Sequence, residues 1–170
     1  MNWEFELLYF FQSLHKPWLD PVMTGASRLA DHGMIWILTA VVLLCFQRTR
    51  RIGIAVSAAL ILSFLTGNLF LKNVVMRSRP CWIDPDIPLL ISSPKDFSFP
   101  SGHTMASFAA AVSIYLQDKR WGLAAVCLAA LIACSRLYLF VHFPTDVLFG
   151  LAWGTGLAIL VNRMMRRYPE

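Results

Sequence analysis

Charged residues are scarce in this sequence. They make up 15% of its 170 residues, whereas hydrophobic residues make up 57%. Soluble globular domains usually carry about 25% charged residues. The shortage excludes an ordinary water-exposed surface for most of the chain, and burial of that surface in lipid is the simplest cause. The length suits a single domain better than two.

Cysteine is also scarce, and its placement excludes the common metal sites. The chain has four cysteines, and no two of them have the C-x-x-C spacing that is typical of zinc sites. Asp84 and Asp86 lie close together in a proline-rich loop, but two carboxylates offer too few oxygen ligands for a hard cation. We therefore predict neither a metal nor any other cofactor.

Long apolar runs are abundant instead. Five of them, with a few flanking residues, are long enough to cross a bilayer: residues 34–47, 52–75, 101–117, 121–140 and 145–162. A crossing takes about 20 residues, and backbone in hydrocarbon must satisfy its own hydrogen bonds, so each run is predicted to be a helix. The prediction is an all-α, polytopic membrane bundle that forms a single domain, with residues 32–163 as its helical core.

The first 31 residues follow a different pattern. Their apolar side chains fall on one helical face, which is typical of a helix lying in the membrane interface. These side chains are Trp3, Leu7, Phe10, Phe11 and Leu14. Two prolines interrupt the pattern, so we predict one or two interfacial helices within residues 1–31. A sixth crossing in this segment stays open.

Basic residues cluster between and after the predicted crossings. The clusters are Arg48, Arg50 and Arg51; Lys119 and Arg120; and Arg163, Arg166 and Arg167. Lysine and arginine mark cytoplasmic loops, and alternating helices place all three clusters on one side. We therefore predict that this side is cytoplasmic, including the tail at residues 164–170. The net charge of +5 is then a topology signal, and we expect no nucleic-acid partner.

Five residues at the opposite ends of these helices predict a phosphate site. Lys72 and Arg79 follow the second run, and cations of this kind neutralise and bind phosphate oxygens. Arg136 lies within an apolar helix, where a charge is costly unless it is functional, although a snorkelling arginine is the alternative. Ser101 and Gly102 open a helix whose free N–H groups favour an anion. Ser101 is equally compatible with a plain helix cap.

Two histidines and one acid belong to the same predicted face. If Pro144 begins a helix, Asp146 lies in its first turn and can accept a hydrogen bond from one ring nitrogen of His142. The other nitrogen is then free to attack phosphorus, and His103 can protonate the leaving oxygen. The start of a helix disfavours a protonated His103, and a bound phosphate would offset this effect.

Taken together, these residues form a three-part pattern. It consists of Lys72-x6-Arg79-Pro80, Pro100-Ser101-Gly102-His103 and Ser135-Arg136-x5-His142-x3-Asp146. In order and internal spacing the pattern resembles the signature of the type-2 phosphatidic acid phosphatase superfamily. That family commonly has six crossings, one more than the five predicted here. Arg77 is extra to the pattern and is an auxiliary cation in our interpretation.

The resemblance implies a role for each residue of the pattern. His142 would be the nucleophile that forms a phosphohistidine, Asp146 would orient it, and His103 would be the general acid. The phosphate would be held without a metal by Lys72, Arg79, Ser101, Gly102 and Arg136. The implied activity is hydrolysis of a lipid phosphate or pyrophosphate.

The expected setting is the extracytoplasmic face of the cell membrane. Undecaprenyl pyrophosphate is the favoured substrate, because its recycling generates this lipid on the outer leaflet. Phosphatidylglycerol phosphate and phosphatidic acid are the alternatives. A lipid phosphotransferase, or a lipid transporter or scramblase on the same scaffold, also stays open. The expected partners are the lipid substrate and membrane lipid, and the sequence indicates no oligomeric state.

Overall fold

The computed structural model describes residues 3–167, and within that range the secondary structure is entirely helical. The α-helices are α1 (Trp3–Ser13), α2 (Asp20–Leu29), α3 (Met34–Cys45), α4 (Arg50–Ser63), α5 (Lys72–Val75), α6 (Pro80–Ile83), α7 (Gly102–Tyr115), α8 (Lys119–Tyr138) and α9 (Pro144–Arg167). A 3-10 turn at Asp31–Gly33 precedes α3, and a π-helical segment at Phe64–Leu71 joins α4 to α5. The predicted all-α class is confirmed. Part of the predicted tail, residues 164–167, is helical, and residues 168–170 lie outside the described range.

Within residues 3–167, three helical stretches are long and apolar enough to cross a membrane: Arg50–Ile83, Lys119–Tyr138 and Pro144–Arg167. A fourth exists if α2 and the Asp31–Cys45 stretch, bent by 47° relative to each other, form one span. The chain is thus a multi-pass membrane protein, and the predicted five or six crossings are not confirmed.

Helix α7 explains part of this difference. It has 14 residues, which cover about 21 Å, less than the roughly 30 Å of bilayer hydrocarbon. Nine of its 14 residues are buried, because α4, α8 and α9 all pack against it. A helix that is enclosed by other helices does not need to be as long as the bilayer hydrocarbon is thick.

The second predicted crossing, residues 52–75, ends where the sequence predicts. Helix α5 stops at Val75, where Met76 adopts a left-handed conformation with φ of 47°. Pro80 begins the next helix, α6, since proline fits the first turn of a helix. Arg77 and Arg79 therefore lie between two helices, so that they can turn toward other elements.

Close packing of α9 against α7 aligns the starts of these two helices. A Cβ atom on Gly150 would lie 2.9 Å from the Ser101 carbonyl oxygen, and one on Gly154 would lie 2.3 Å from that of Met105. The missing side chains therefore let the two backbones touch. As a result, the Ser101 N–H donates to the Asp146 carbonyl at 3.2 Å.

The N-terminal helices pack against the bundle, with α1 contacting α8 and α9 and α2 contacting α8. The apolar face predicted for α1 is not its buried face. Glu4 and Leu8 are buried, whereas Trp3 and Phe10 are 54% and 56% exposed. Glu4 can be buried because Arg77 and the Thr145 hydroxyl both donate hydrogen bonds to its carboxylate.

Two of the three basic clusters that are predicted to be cytoplasmic meet at the other end of the bundle. Arg51, at the start of α4, donates to the Met165 carbonyl near the end of α9 at 3.0 Å. Asp146 and Arg166 are 20 residues apart on α9, which separates them by about 30 Å. The bundle therefore has one arginine-rich end and one end where the histidines and acids meet.

Candidate active site

A cavity of about 940 Å³ lies at the end of the bundle that contains the histidines. Six of the eight predicted site residues line it: Lys72, Arg79, Gly102, His103, Arg136 and His142. The other two, Ser101 and Asp146, are fully buried beside them. Elements that are distant in sequence therefore converge on one space.

Lys72 and Arg79 share a carboxylate partner in this cavity. The Arg79 guanidinium donates to Asp96 Oδ1 at 2.7 Å, and the Lys72 ammonium donates to Asp96 Oδ2. Both cations are buried, whereas the Asp96 side chain is 56% exposed. Burial raises the pKa of the Asp96 carboxyl, but its hydrogen bonds and charge interactions with Lys72 and Arg79 outweigh burial and lower that pKa well below its ordinary value. The negatively charged Asp96 side chain therefore binds both of the cations that are predicted to bind phosphate.

Arg136 brings a third cation to the cavity from α8. Its side chain is buried, and one guanidinium nitrogen donates to the Ser27 hydroxyl of α2. Its Nε atom has no hydrogen-bond partner within residues 3–167. Arg136 does not snorkel away from the bundle, and it retains a free donor for a ligand. Buried, unpaired donors are costly, which indicates that an anion belongs here.

His142 lies in the turn before α9, with its two ring nitrogens in different surroundings. Nε2 is 3.2 Å from an Arg79 nitrogen, so it accepts when the ring is neutral. Nδ1 is 3.7 Å from Asp146 Oδ2, which is an ion-pair distance. The predicted hydrogen bond between His142 and Asp146 is therefore absent in this state. Burial, followed by the charges of Arg79, Arg136 and Lys72, lowers the pKa of His142 well below its ordinary value.

Asp146 is held by other donors. Its carboxylate accepts from the Phe143 N–H at 2.9 Å, from the Ser98 hydroxyl at 2.5 Å and from Arg77 at 2.7 Å. These bonds occupy the oxygens that were predicted to accept a hydrogen bond from His142. The carboxylate consequently has a fixed position, and its negative charge can stabilise a charged imidazole from there.

Arg77, interpreted from the sequence as an auxiliary cation, does not line the cavity. It bridges Asp146 and Glu4, with distances of 2.7 Å and 2.6 Å, and its guanidinium lies 4.0 Å from the centre of the Phe143 ring. Arg77 thus neutralises two buried carboxylates and ties α1 to the start of α9.

Ser101 and Gly102, at the start of α7, differ in their position relative to the cavity. The Ser101 hydroxyl pairs with the Thr104 hydroxyl at 2.9 Å and makes no capping hydrogen bond, so it neither caps the helix nor lines the cavity. Gly102 does line the cavity, and a Cβ there would lie 2.8 Å from Asn68 Oδ1. The backbone at Gly102 is the part of this turn that can approach an anion.

His103 follows on the same turn and has an acidic partner. Its Nε2 atom is 2.9 Å from Asp31 Oδ1, in the 3-10 turn before α3. Within residues 3–167, no three histidine, cysteine or acidic side chains come together in a group that could hold a metal ion.

Residues 51–169 match the model of the PAP2 superfamily. The chain belongs to this superfamily. This confirms the resemblance carried by the three-part pattern, and it includes every residue of that pattern.

Two PAP2 relatives show how far the likeness extends. The undecaprenyl-diphosphatase of Sulfolobus acidocaldarius is 34% identical over 128 residues, which cover 74% of this chain and 61% of that protein. The decaprenylphosphoryl-5-phosphoribose phosphatase of Mycolicibacterium smegmatis is 38% identical over 134 residues, covering 76% and 71%.

A solved PAP2 structure has the same fold. The transmembrane PAP2 type phosphatidylglycerolphosphate phosphatase from Bacillus subtilis superposes with a TM-score of 0.78 at 27% sequence identity. The likeness covers 97% of this chain and 85% of that one. It includes the N-terminal helices, which the PAP2 match at 51–169 does not reach.

Three acidic residues of this PAP2 chain were missed by the sequence reasoning. Asp31 pairs with His103, and Glu4 pairs with Arg77. Asp96 pairs with both Lys72 and Arg79. One signal could have suggested these acids: buried cations need counter-charges nearby. All three acids belong to segments next to the helix ends that were predicted to form the site. That signal does not say which acid meets which cation.

Proposed function

We propose that this protein hydrolyses lipid phosphates or pyrophosphates through a phosphohistidine on His142. One observation carries the proposal: three buried cations and both histidines with a predicted catalytic role line the same cavity. Because Nε2 of His142 is 3.2 Å from Arg79, a phosphate oxygen held by Arg79 would bring phosphorus close to the attacking nitrogen. Lysine and arginine can bind the phosphate oxygens without a metal ion.

The reaction would proceed in two steps. In the first, His142 Nε2 bonds to phosphorus while the bond to the leaving oxygen breaks, and His103 gives that oxygen a proton. Asp146 stabilises the positive charge that forms on the His142 ring. In the second, the oxygen of a water bonds to phosphorus while the P–N bond to His142 breaks, His103 takes one proton from that water, and inorganic phosphate leaves. Lys72, Arg79, Arg136 and the Gly102 backbone N–H would hold the phosphate in both steps, and Ser101 would support the turn.

The cavity also supports a lipid substrate. Its walls include apolar residues of α3 and of the stretch from α4 into the π segment that are about half exposed: Ile37, Val41, Ile61 and Phe64. A head group at the cations and a tail along these side chains would leave the tail in the membrane. A water-soluble substrate would have no use for this wall.

Undecaprenyl pyrophosphate is the substrate that we favour. The Sulfolobus acidocaldarius relative is named an undecaprenyl-diphosphatase, and the basic end of the bundle, taken as cytoplasmic, would direct the cavity to the outer leaflet. Phosphatidylglycerol phosphate is supported by the name of the Bacillus subtilis structure. Phosphatidic acid is the third candidate, and comparison of the three lipids decides among them.

The test is phosphate release by the purified protein in detergent with excess EDTA, from each of the three lipids. We expect release by the wild type and by His15→Ala, a matched change at a histidine that does not line the cavity. His142→Ala should release phosphate at least about 10³-fold more slowly, since it lacks the nucleophile. Labelled substrate should leave an acid-labile phosphoryl group on the wild type and on His15→Ala, but not on His142→Ala.

Each alternative has its own outcome. Full activity of His142→Ala would exclude the nucleophile assignment, and loss of activity in EDTA would exclude metal-independent catalysis. Lipid movement without phosphate release would favour a transporter, and phosphoryl transfer to an added alcohol in preference to water would favour a phosphotransferase. For orientation, right-side-out vesicles should hydrolyse a membrane-impermeant short-chain substrate, and hydrolysis by inside-out vesicles alone would reverse the topology.

A further inference from the structure

Each of the two histidines with a predicted catalytic role faces a carboxylate. His142 faces Asp146 of α9, and His103 Nε2 lies 2.9 Å from Asp31 Oδ1. Asp31 is 72 residues from His103 in sequence and lies outside the matched range 51–169. Of this second pair, only His103 belongs to the three-part pattern.

The local backbone places Asp31 at the cavity. His32 and Gly33 follow it with φ angles of 53° and 72°, in the left-handed region, so the chain turns sharply between α2 and α3. On the other side, Ser27 of α2 bonds to Arg136. The segment is thus anchored to α8 only four residues before Asp31. Glycine at position 33 permits this turn without strain.

We propose that Asp31 is a positioning residue that orients His103 and favours its protonated form for proton transfer to the leaving group. This inference rests on the proposed function, in which His103 is the general acid. By accepting a hydrogen bond from Nε2, the carboxylate fixes the ring and leaves Nδ1 as the nitrogen that exchanges the proton.

The charges around His103 show why such a partner is needed. Burial disfavours an imidazolium most, followed by Arg136 from α8 and Lys72 from α5, and the start of α7 acts in the same direction. His142, from the turn before α9, adds no favourable charge. The Asp31 carboxylate opposes these effects without outweighing them, and a bound phosphate would add to its contribution. Asp31 therefore supplies part of the negative charge that an acid role at a helix N-terminus requires.

The protons balance over the two steps. The His103 Nδ1 proton moves to the leaving oxygen as the P–O bond breaks, and the ring becomes neutral while Nε2–H stays bonded to Asp31. When water attacks the phosphohistidine, Nδ1 takes one proton from that water. Asp31 remains ionised throughout, and His103 returns to its starting state.

Leaving-group chemistry distinguishes this role from a purely structural one. An alkyl lipid phosphate needs its leaving oxygen protonated, whereas p-nitrophenyl phosphate releases a stabilised phenolate that does not. The constant kcat/KM reports the steps through phosphohistidine formation and not the hydrolysis step that both substrates share. We expect Asp31→Asn to lower kcat/KM about 10²-fold for the lipid and less than about threefold for the aryl phosphate. His103→Gln is the reference for the same pattern, and Asp31→Glu should restore part of the loss. Asp86→Asn, the same substitution at an exposed loop residue, is the control.

Three results would overturn the inference while leaving the proposed function intact. Equal losses on both substrates, with a lower melting temperature, would mean a structural role. Unchanged kcat/KM on the lipid would mean no role, and a higher kcat/KM on both substrates would mean that Asp31 only repels the anion. If His103→Gln kept full activity on the lipid phosphate, the acid role of His103 would fail, and this inference would fail with it.

Discussion

The Nδ1 atom of His142 lies 3.7 Å from Oδ2 of Asp146, and it has no hydrogen-bond partner among the described residues. A buried polar atom without a partner is costly. The cost falls when phosphorylation of Nε2 makes the ring cationic, because the nearby carboxylate then stabilises it. The geometry thus favours the charge that forms during the reaction over the neutral resting state.

Asp146→Asn is the direct test of this relationship. We expect kcat to fall on the order of 10²–10⁴-fold with a smaller change in KM, since an amide cannot stabilise the imidazolium. Steady-state kinetics on a lipid phosphate measures both constants. Ser98→Ala, which removes one donor to the same carboxylate, should retain most of the activity. Equal losses in the two variants would show that the carboxylate charge itself is unimportant.

The depressed pKa of His142 has consequences for pH. Its ordinary value is 6.5, and burial with Arg79 and Arg136 nearby lowers it, so the ring should stay neutral and nucleophilic below pH 6.5. Because the unfolded chain then binds the proton more readily, this group should lower the free energy of unfolding as pH falls below about 6.5. Titration of ¹⁵N-labelled histidine by NMR, with His142→Gln to assign the signal, measures the pKa. A midpoint at or above 6.5 would contradict the expectation.

Asp96 should compete with phosphate for Lys72 and Arg79. Its lowered pKa keeps the carboxylate ionised throughout the neutral pH range, so the competition persists at working pH. We expect Asp96→Asn to bind inorganic phosphate about three- to tenfold more tightly as a competitive inhibitor, a gain of roughly 1 kcal/mol. Asp84→Asn, another acid of the same loop, is the control. Weaker phosphate inhibition in Asp96→Asn would mean that Asp96 positions the cations instead.

Two glycines of α9 provide a matched pair for the helix contact. A Cβ on Gly154 would lie 2.3 Å from the Met105 carbonyl oxygen, whereas one on Gly156 would meet nothing within 4 Å. We expect Gly154→Ala to force α7 and α9 apart and to cost about 1–3 kcal/mol. Gly156→Ala should be neutral or stabilising by up to about 1 kcal/mol. Thermal unfolding in detergent measures both, and equal melting temperatures would exclude the contact.

Much of the architecture was predictable because its signals are local. The apolar runs predicted the main helices to within a few residues, for example 121–140 against the observed Lys119–Tyr138. The spacing within each part of the pattern identified the residues that now line one cavity. The left-handed conformation of Met76 was not predicted, since a left-handed residue other than glycine leaves no mark in the sequence. The burial of Glu4 was missed as well, because its partners are about 70 and 140 residues away.

The sequence by itself determined that this protein is an all-helical membrane PAP2 chain, and it identified the cations and histidines of the cavity. Those properties follow from composition and short-range spacing, which are legible without coordinates. Only the tertiary structure decided which acid pairs with which base: Asp31 with His103, Asp96 with Lys72 and Arg79, and Arg77 with Asp146. The physical reason is that an ion pair depends on distance in space, and the packing of α2, α7 and α9 sets those distances.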